Sequence, residues 1–115
     1  TWVADMSNGY VGIGYGEDGA YWESIFGPYE SLAGSFNDLM AAATELQASP
    51  LRPDVYMWCG TEDSLLPGNH ALRDHLLALG YDLTYAESAG NHAWQWWDLH
   101  IQDVLRWLFP QTEVK

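Results

Sequence analysis

Basic residues are nearly missing from this chain: Arg52, Arg73, Arg106 and Lys115 face sixteen carboxylates, a formal net charge of −12 over 115 residues. A field of that sign repels phosphate backbones and anionic lipid headgroups, which argues against nucleic acid and membrane surfaces as partners. Cysteine is scarce too. Cys59 stands alone, so no internal disulfide can form, and the count suits a reducing, cytoplasmic compartment. No run of about twenty apolar residues is present to span a bilayer, and no basic-then-apolar leader opens the chain. The first residues are Thr1-Trp2-Val3, without an initiator Met, as expected of a segment of something longer. Metal-ligand spacing is also lacking: Cys59, Asp63, His70 and His92 contain no His-x-x-x-His or Cys-x-x-Cys pair. Neither a metal nor a cofactor is expected.

What the chain does hold is apolar mass. Nearly half its residues are hydrophobic and seven are Trp, enough for the core of one small domain and inconsistent with disorder. Residues 1–19 are Gly-rich and irregular. The run Gly12-Ile13-Gly14-Tyr15-Gly16 has the look of a phosphate loop, but Glu17-Asp18 follows it and would oppose an anion. A short helix is expected over Tyr21–Phe26, ended by Gly27-Pro28. A second begins at Ser35, with Asp38 three residues on as a capping-box variant, and its buried stripe is Phe36, Leu39, Met40, Ala43 and Leu46.

Val55–Cys59 is a short run, apolar on both faces, as an interior strand of a parallel sheet should be. The spacing of Leu72, Leu76 and Leu79 predicts a helix over Asn69–Leu79, stopped by Gly80. Leu83 and Tyr85 alternate with polar neighbours in a second strand. A last helix covers Trp94–Leu108, its stripe made of Trp97, Ile101, Val104, Leu105 and Leu108. The resulting order places two parallel strands side by side with helices on their faces. Two strands are few for a self-standing sheet, so the α/β fold reads as part of a domain.

In open α/β sheets reactive groups gather at the carboxyl ends of strands. Asp63 follows the first strand and His92 follows the second, so their loops should meet. A carboxylate there can fix the histidine's tautomer and stabilise the imidazolium. On position alone Glu62 competes with Asp63, and His92 competes with a loop histidine that has no task. His70 and His75 are expected to face solvent or the helix end, and His100 to be structural.

Four blocks occur in order: Cys59-Gly60-Thr61-Glu62-Asp63, Leu72-Arg73-Asp74, Leu79-Gly80-Tyr81-Asp82-Leu83-Thr84-Tyr85 and Gly90-Asn91-His92-Ala93-Trp94. With them the sequence resembles the tributyrin-esterase and S-formylglutathione-hydrolase (esterase D) group of α/β-hydrolases, most strongly from Phe26 to Phe109. The resemblance implies the C-terminal portion of an α/β-hydrolase fold, with residues 1–115 incomplete as a domain. It assigns the triad acid to Asp63 and the base to His92, and implies a serine esterase acting on small acyl esters. Relatives more often have Gly-His-Asp-Trp where this chain has Asn91-His92-Ala93-Trp94.

The family's Gly-x-Ser-x-Gly elbow is absent. Met6-Ser7-Asn8-Gly9 and Gly34-Ser35-Phe36 lack its flanking glycines. The expected partner is therefore an N-terminal half of the same protein carrying the serine, with homo-oligomerisation a further expectation. A different class of reading is a carbohydrate-binding module that stacks sugars on Trp2, Trp22, Trp94 and Trp96.

Overall fold

The computed structural model describes Tyr15 and residues 18–111. Most of the Gly12–Gly16 run, the Ser7 context and Trp2 lie outside the described residues. Helix α1 spans Gly19–Phe26, a 3₁₀ turn covers Tyr29–Ser31, and α2 spans Leu39–Leu46. Strand β1 is Val55–Gly60, α3 is Leu66–Ala78, β2 is Leu83–Ser88 and α4 is Trp94–Leu108. No described helix is long and apolar enough to cross a membrane.

The two strands pair in parallel from Val55 opposite Leu83 to Gly60 opposite Ser88. Parallel neighbours need a crossover between them, and α3 provides it. Side chains alternate across a strand, so β1 divides its residues between two helical layers. Met57 joins Ala43, Leu72, Leu76 and Tyr81 in the core beneath α2 and α3, with Val55 and Leu83 packed against it. Tyr56 and Trp58 point the other way, to Trp107 and His100 of α4. The chain is thus an α/β arrangement in three layers.

Polar bonds fix the core's rim. The Tyr81 hydroxyl donates to the Ala43 carbonyl at 2.8 Å. Arg52 lies over the Tyr81 ring, 4.9 Å from its centroid, and donates to the carbonyls of Gln47 and Leu79. The ring nitrogen His75 Nε2 lies 2.9 Å from both the Met40 carbonyl and the Thr44 hydroxyl, so His75, in the last turn of α3, bridges that helix end to α2.

Three expectations need correction. The second helix is capped by Asp38, not Ser35: its carboxylate accepts the Ala41 N–H at 3.1 Å and the Gly34 N–H at 2.9 Å. An aspartate at the cap satisfies helix-start donors directly, whereas the Ser35 hydroxyl turns the chain by accepting from the Asn37 N–H. Phe36 therefore precedes the helix and is 89 % exposed, and Leu39 and Leu46 are also exposed. Only Ala43 of that stripe is fully buried.

The third helix starts at Leu66, earlier than Asn69. Pro67 falls in the first turn, where its missing N–H has no helical partner to lose. On α4 the sheet-facing residues are Trp97, His100, Val104 and Trp107, while Ile101, Leu105 and Leu108 stay about half exposed.

The core packing is measurable. In the complete parent protein, Leu76→Ala should lower stability by about 2–5 kcal/mol, the cost of an aliphatic cavity. Urea unfolding monitored by circular dichroism gives the value, and a neutral result would contradict the packing of Leu76 in the core with Met57 and Tyr81.

Candidate active site

Because β1 and β2 end in register, the segments that follow them leave the sheet side by side. Asp63 sits in a tight turn after β1. Its backbone N–H donates to the Gly60 carbonyl at 3.1 Å, and its Oδ1 accepts the Leu65 N–H at 2.9 Å. That leaves Oδ2 directed at the neighbouring loop, where it lies 3.0 Å from His92 Nδ1. The Asp63 side chain is only 6 % exposed, whereas that of His92 is 58 % exposed. A carboxylate only accepts, so the bond places the proton on Nδ1 and leaves the Nε2 lone pair free in the neutral ring. The ring also meets Trp97 edge-on, with centroids 4.8 Å apart. The imidazole is thus held from behind by a buried carboxylate and open in front.

Glu62, equal to Asp63 on position, is engaged elsewhere. Its Oε2 accepts the Gly90 N–H at 2.6 Å and the Thr61 hydroxyl at 2.9 Å. The backbone answers in the other direction, since the Glu62 N–H donates to the Gly90 carbonyl at 3.0 Å. Bonding to the Gly90 N–H first, and to Thr61 second, holds the Glu62 carboxyl below its ordinary range. Two glycines make this approach possible. A Cβ on Gly60 would lie 2.1 Å from the Gly90 carbonyl oxygen, and one on Gly90 would lie 2.8 Å from the Trp96 ring. Gly90 also has φ of +147°, a conformation costly to L side chains. Nothing in composition or helical periodicity announces such a contact; the only sequence signal is a glycine at each strand end.

The other histidines are tied down. His100 stacks on Trp58 at 4.2 Å, and its Nε2 lies 3.1 Å from the Ser88 hydroxyl oxygen. Trp58 Nε1 donates to that same oxygen at 2.9 Å. Ser88 and His100 thereby brace α4 against the sheet, the structural role expected of His100. His70 pairs with Glu87, which also accepts the Tyr85 hydroxyl at 2.5 Å, so His70 is not simply turned to solvent. The Tyr85 bond first, and His70 second, hold the Glu87 carboxyl below its usual range, while burial pushes the Tyr85 phenol up.

Among the described residues, no three His, Cys, Asp or Glu side chains gather so as to hold a metal ion. A cleft of about 240 Å³ lies beside the histidine loop, lined by Glu62, Ala89, Gly90, Asn91, Gln95 and Trp96. The described tryptophans considered as sugar platforms make contacts within the chain. Trp22 stacks on Phe26 and Trp94 meets Trp97 edge-on, while Trp96 lies against Gly90.

No family model matches the chain. It is similar to an acetyl esterase of Caldicellulosiruptor saccharolyticus, 36 % identical over 89 residues, which is 76 % of this chain and 34 % of that protein. The chain thus spans about a third of the length of the curated relative it matches. That likeness does not favour a sugar-binding module.

The glycine contact yields a sharp expectation. In the complete parent protein, Gly60→Ala should cost at least about 2 kcal/mol, because overpacking against backbone has little room to relax. Urea denaturation measures this, and a neutral result would show that the two loops part easily.

Proposed function

We propose that this chain supplies the acid, Asp63, and the general base, His92, of a serine carboxylesterase acting on short acyl esters. In this reading residues 1–115 form the C-terminal part of an α/β-hydrolase domain. The nucleophilic serine and the oxyanion donors then come from residues outside this chain, in the N-terminal half of the same protein. The observation that carries the reading is the 3.0 Å contact between a buried carboxylate and an exposed imidazole at adjacent strand ends. Similarity to an acetyl esterase supports it, and so does the order acid then histidine that α/β-hydrolases use after their serine.

The chemistry follows from that geometry. His92 Nε2 takes the serine proton as the hydroxyl oxygen adds to the ester carbonyl, and Asp63 stabilises the resulting imidazolium. Collapse of the tetrahedral adduct breaks the ester C–O bond, and the departing alkoxide receives the proton from Nε2. The acyl-enzyme is then hydrolysed by the same sequence with water as the nucleophile. No step requires a metal or an organic cofactor. A neutral, small ester suits the acidic chain better than a polyanion, and a single cysteine fits a cytoplasmic setting.

In the complete parent protein, His92→Ala should lower kcat for p-nitrophenyl acetate by about a hundred- to ten-thousand-fold while circular dichroism stays unchanged. Asp63→Asn should lose on the order of ten-thousand-fold, as a carboxamide favours the wrong tautomer. Turnover at the wild-type level in either variant would remove the proposal. Dialysis against a chelator should leave activity intact; a loss restored by zinc would point to another mechanism. The parent coding sequence should also contain Gly-x-Ser-x-Gly upstream of Thr1, and residues 1–115 expressed alone should be inert towards the ester and self-associate.

A further inference from the structure

Beside the acid–histidine pair sits a second carboxylate whose bonds go to the histidine's loop and not to its ring. Glu62 and Gly90 exchange two bonds, the Gly90 N–H to Glu62 Oε2 at 2.6 Å and the Glu62 N–H to the Gly90 carbonyl at 3.0 Å. Glu62 adjoins Asp63, and Gly90 lies two residues before His92. The pair thus joins the acid's turn to the base's loop by a route independent of the His92–Asp63 bond itself.

From this geometry we infer that Glu62 is a positioning residue for the proposed triad, holding the His92 loop at the register where Nδ1 meets Asp63. This rests on the reading of Asp63 and His92 as acid and base. It assigns the neighbouring carboxylate a task distinct from theirs, performed through its reach and acceptor oxygen and not through its charge.

Three features support a positioning task. His92 is more than half exposed, so burial alone does not fix its ring. Ala93, which follows it, bonds only locally, its N–H donating to the Asn91 carbonyl at 2.9 Å. Gly90 has a φ of +147°, which glycine adopts freely, and a Cβ there would run into the Trp96 ring, so the loop's path at this point is set by its contacts and not by a preferred backbone conformation. The two bonds to Glu62 are among those contacts.

The carboxyl also stays ionised. Its folded pKa is lowered, chiefly by the Gly90 N–H. The part of its stabilisation that depends on ionisation is therefore complete above the ordinary glutamate value of 4.5 and fades only as pH falls through the lower folded value. The loop's register depends on the reach and the acceptor oxygen, which the uncharged side chain keeps.

Reach and charge are separated by two substitutions in the complete parent protein. Glu62→Gln keeps the length and a carbonyl acceptor for the Gly90 N–H but removes the charge. Glu62→Asp keeps the charge but falls one methylene short. With p-nitrophenyl acetate, Glu62→Asp and Glu62→Ala should lose about ten- to a hundredfold in kcat, as a displacement near 1 Å costs that order. KM should change by no more than about threefold. Glu62→Gln should lose no more than about threefold.

Proton NMR adds a readout that a purely structural role would not move. The far-downfield resonance of the His92 Nδ1 proton should persist in Glu62→Gln and broaden in Glu62→Asp. Glu62→Asp at wild-type kcat overturns the proposal. So does Glu62→Gln impaired as severely as Asp63→Asn, since charge would then be the operative property. Should Glu62→Ala fail to fold, the Gln and Asp pair still decides. If His92→Ala and Asp63→Asn are themselves fully active, it is the triad reading that has failed, and this is seen separately from any Glu62 result.

Discussion

The approach of two backbones at the strand ends, Gly60 against Gly90, sets how far apart the acid's turn and the histidine's loop stand. Parallel pairing brings β1 and β2 to a common end, yet side chains on facing loops would ordinarily hold them apart. With no Cβ on Gly60, the Gly90 carbonyl occupies the space where one would be. The Glu62 N–H then reaches that carbonyl, and Asp63, one residue further, reaches His92. A glycine here is not a flexible hinge. It is the absence of a side chain where two main chains must touch.

That contact is gripped from both faces of the sheet. On one side Leu72 and Leu76 of α3 pack on Met57, fixing the helix that begins directly after the Asp63 turn. On the other, Trp58, Ser88 and His100 lock the ends of both strands to α4, and α4 begins directly after the His92 loop. Each loop is thus short and held at both ends by regular structure, which is how a site retains geometry without being buried.

Carboxylates are unevenly used within this frame. Asp38 caps a helix, Asp63 faces an imidazole, Glu62 binds backbone and Glu87 gathers His70 and Tyr85. A chain so short of cations can pair only a few of its acids with arginine, as at Asp74 and Asp103. It stabilises several of them with N–H and O–H donors, which favour the charged form as a cation would. The low pKa of Glu62 and of Glu87 follows from such bonds first.

By itself the sequence determined the element order, the apolar β1 strand, the parallel pairing and the placement of Asp63 and His92 at strand ends. Each is written in local patterns: period-2 and period-3.6 hydrophobicity, glycine stops and connection lengths. It left the helix after Ser35 one turn too early, because a capping-box pattern cannot say which of two capping residues the chain will use. Asp38 prevailed by accepting two N–H groups at once. Position and pattern left Asp63 and Glu62 level, and only the motif resemblance favoured Asp63; the tertiary structure decided that Asp63 faces the ring while Glu62 faces backbone. A turn directs one carboxylate inward and the other across to Gly90, and that direction is set by contacts between residues nearly thirty positions apart.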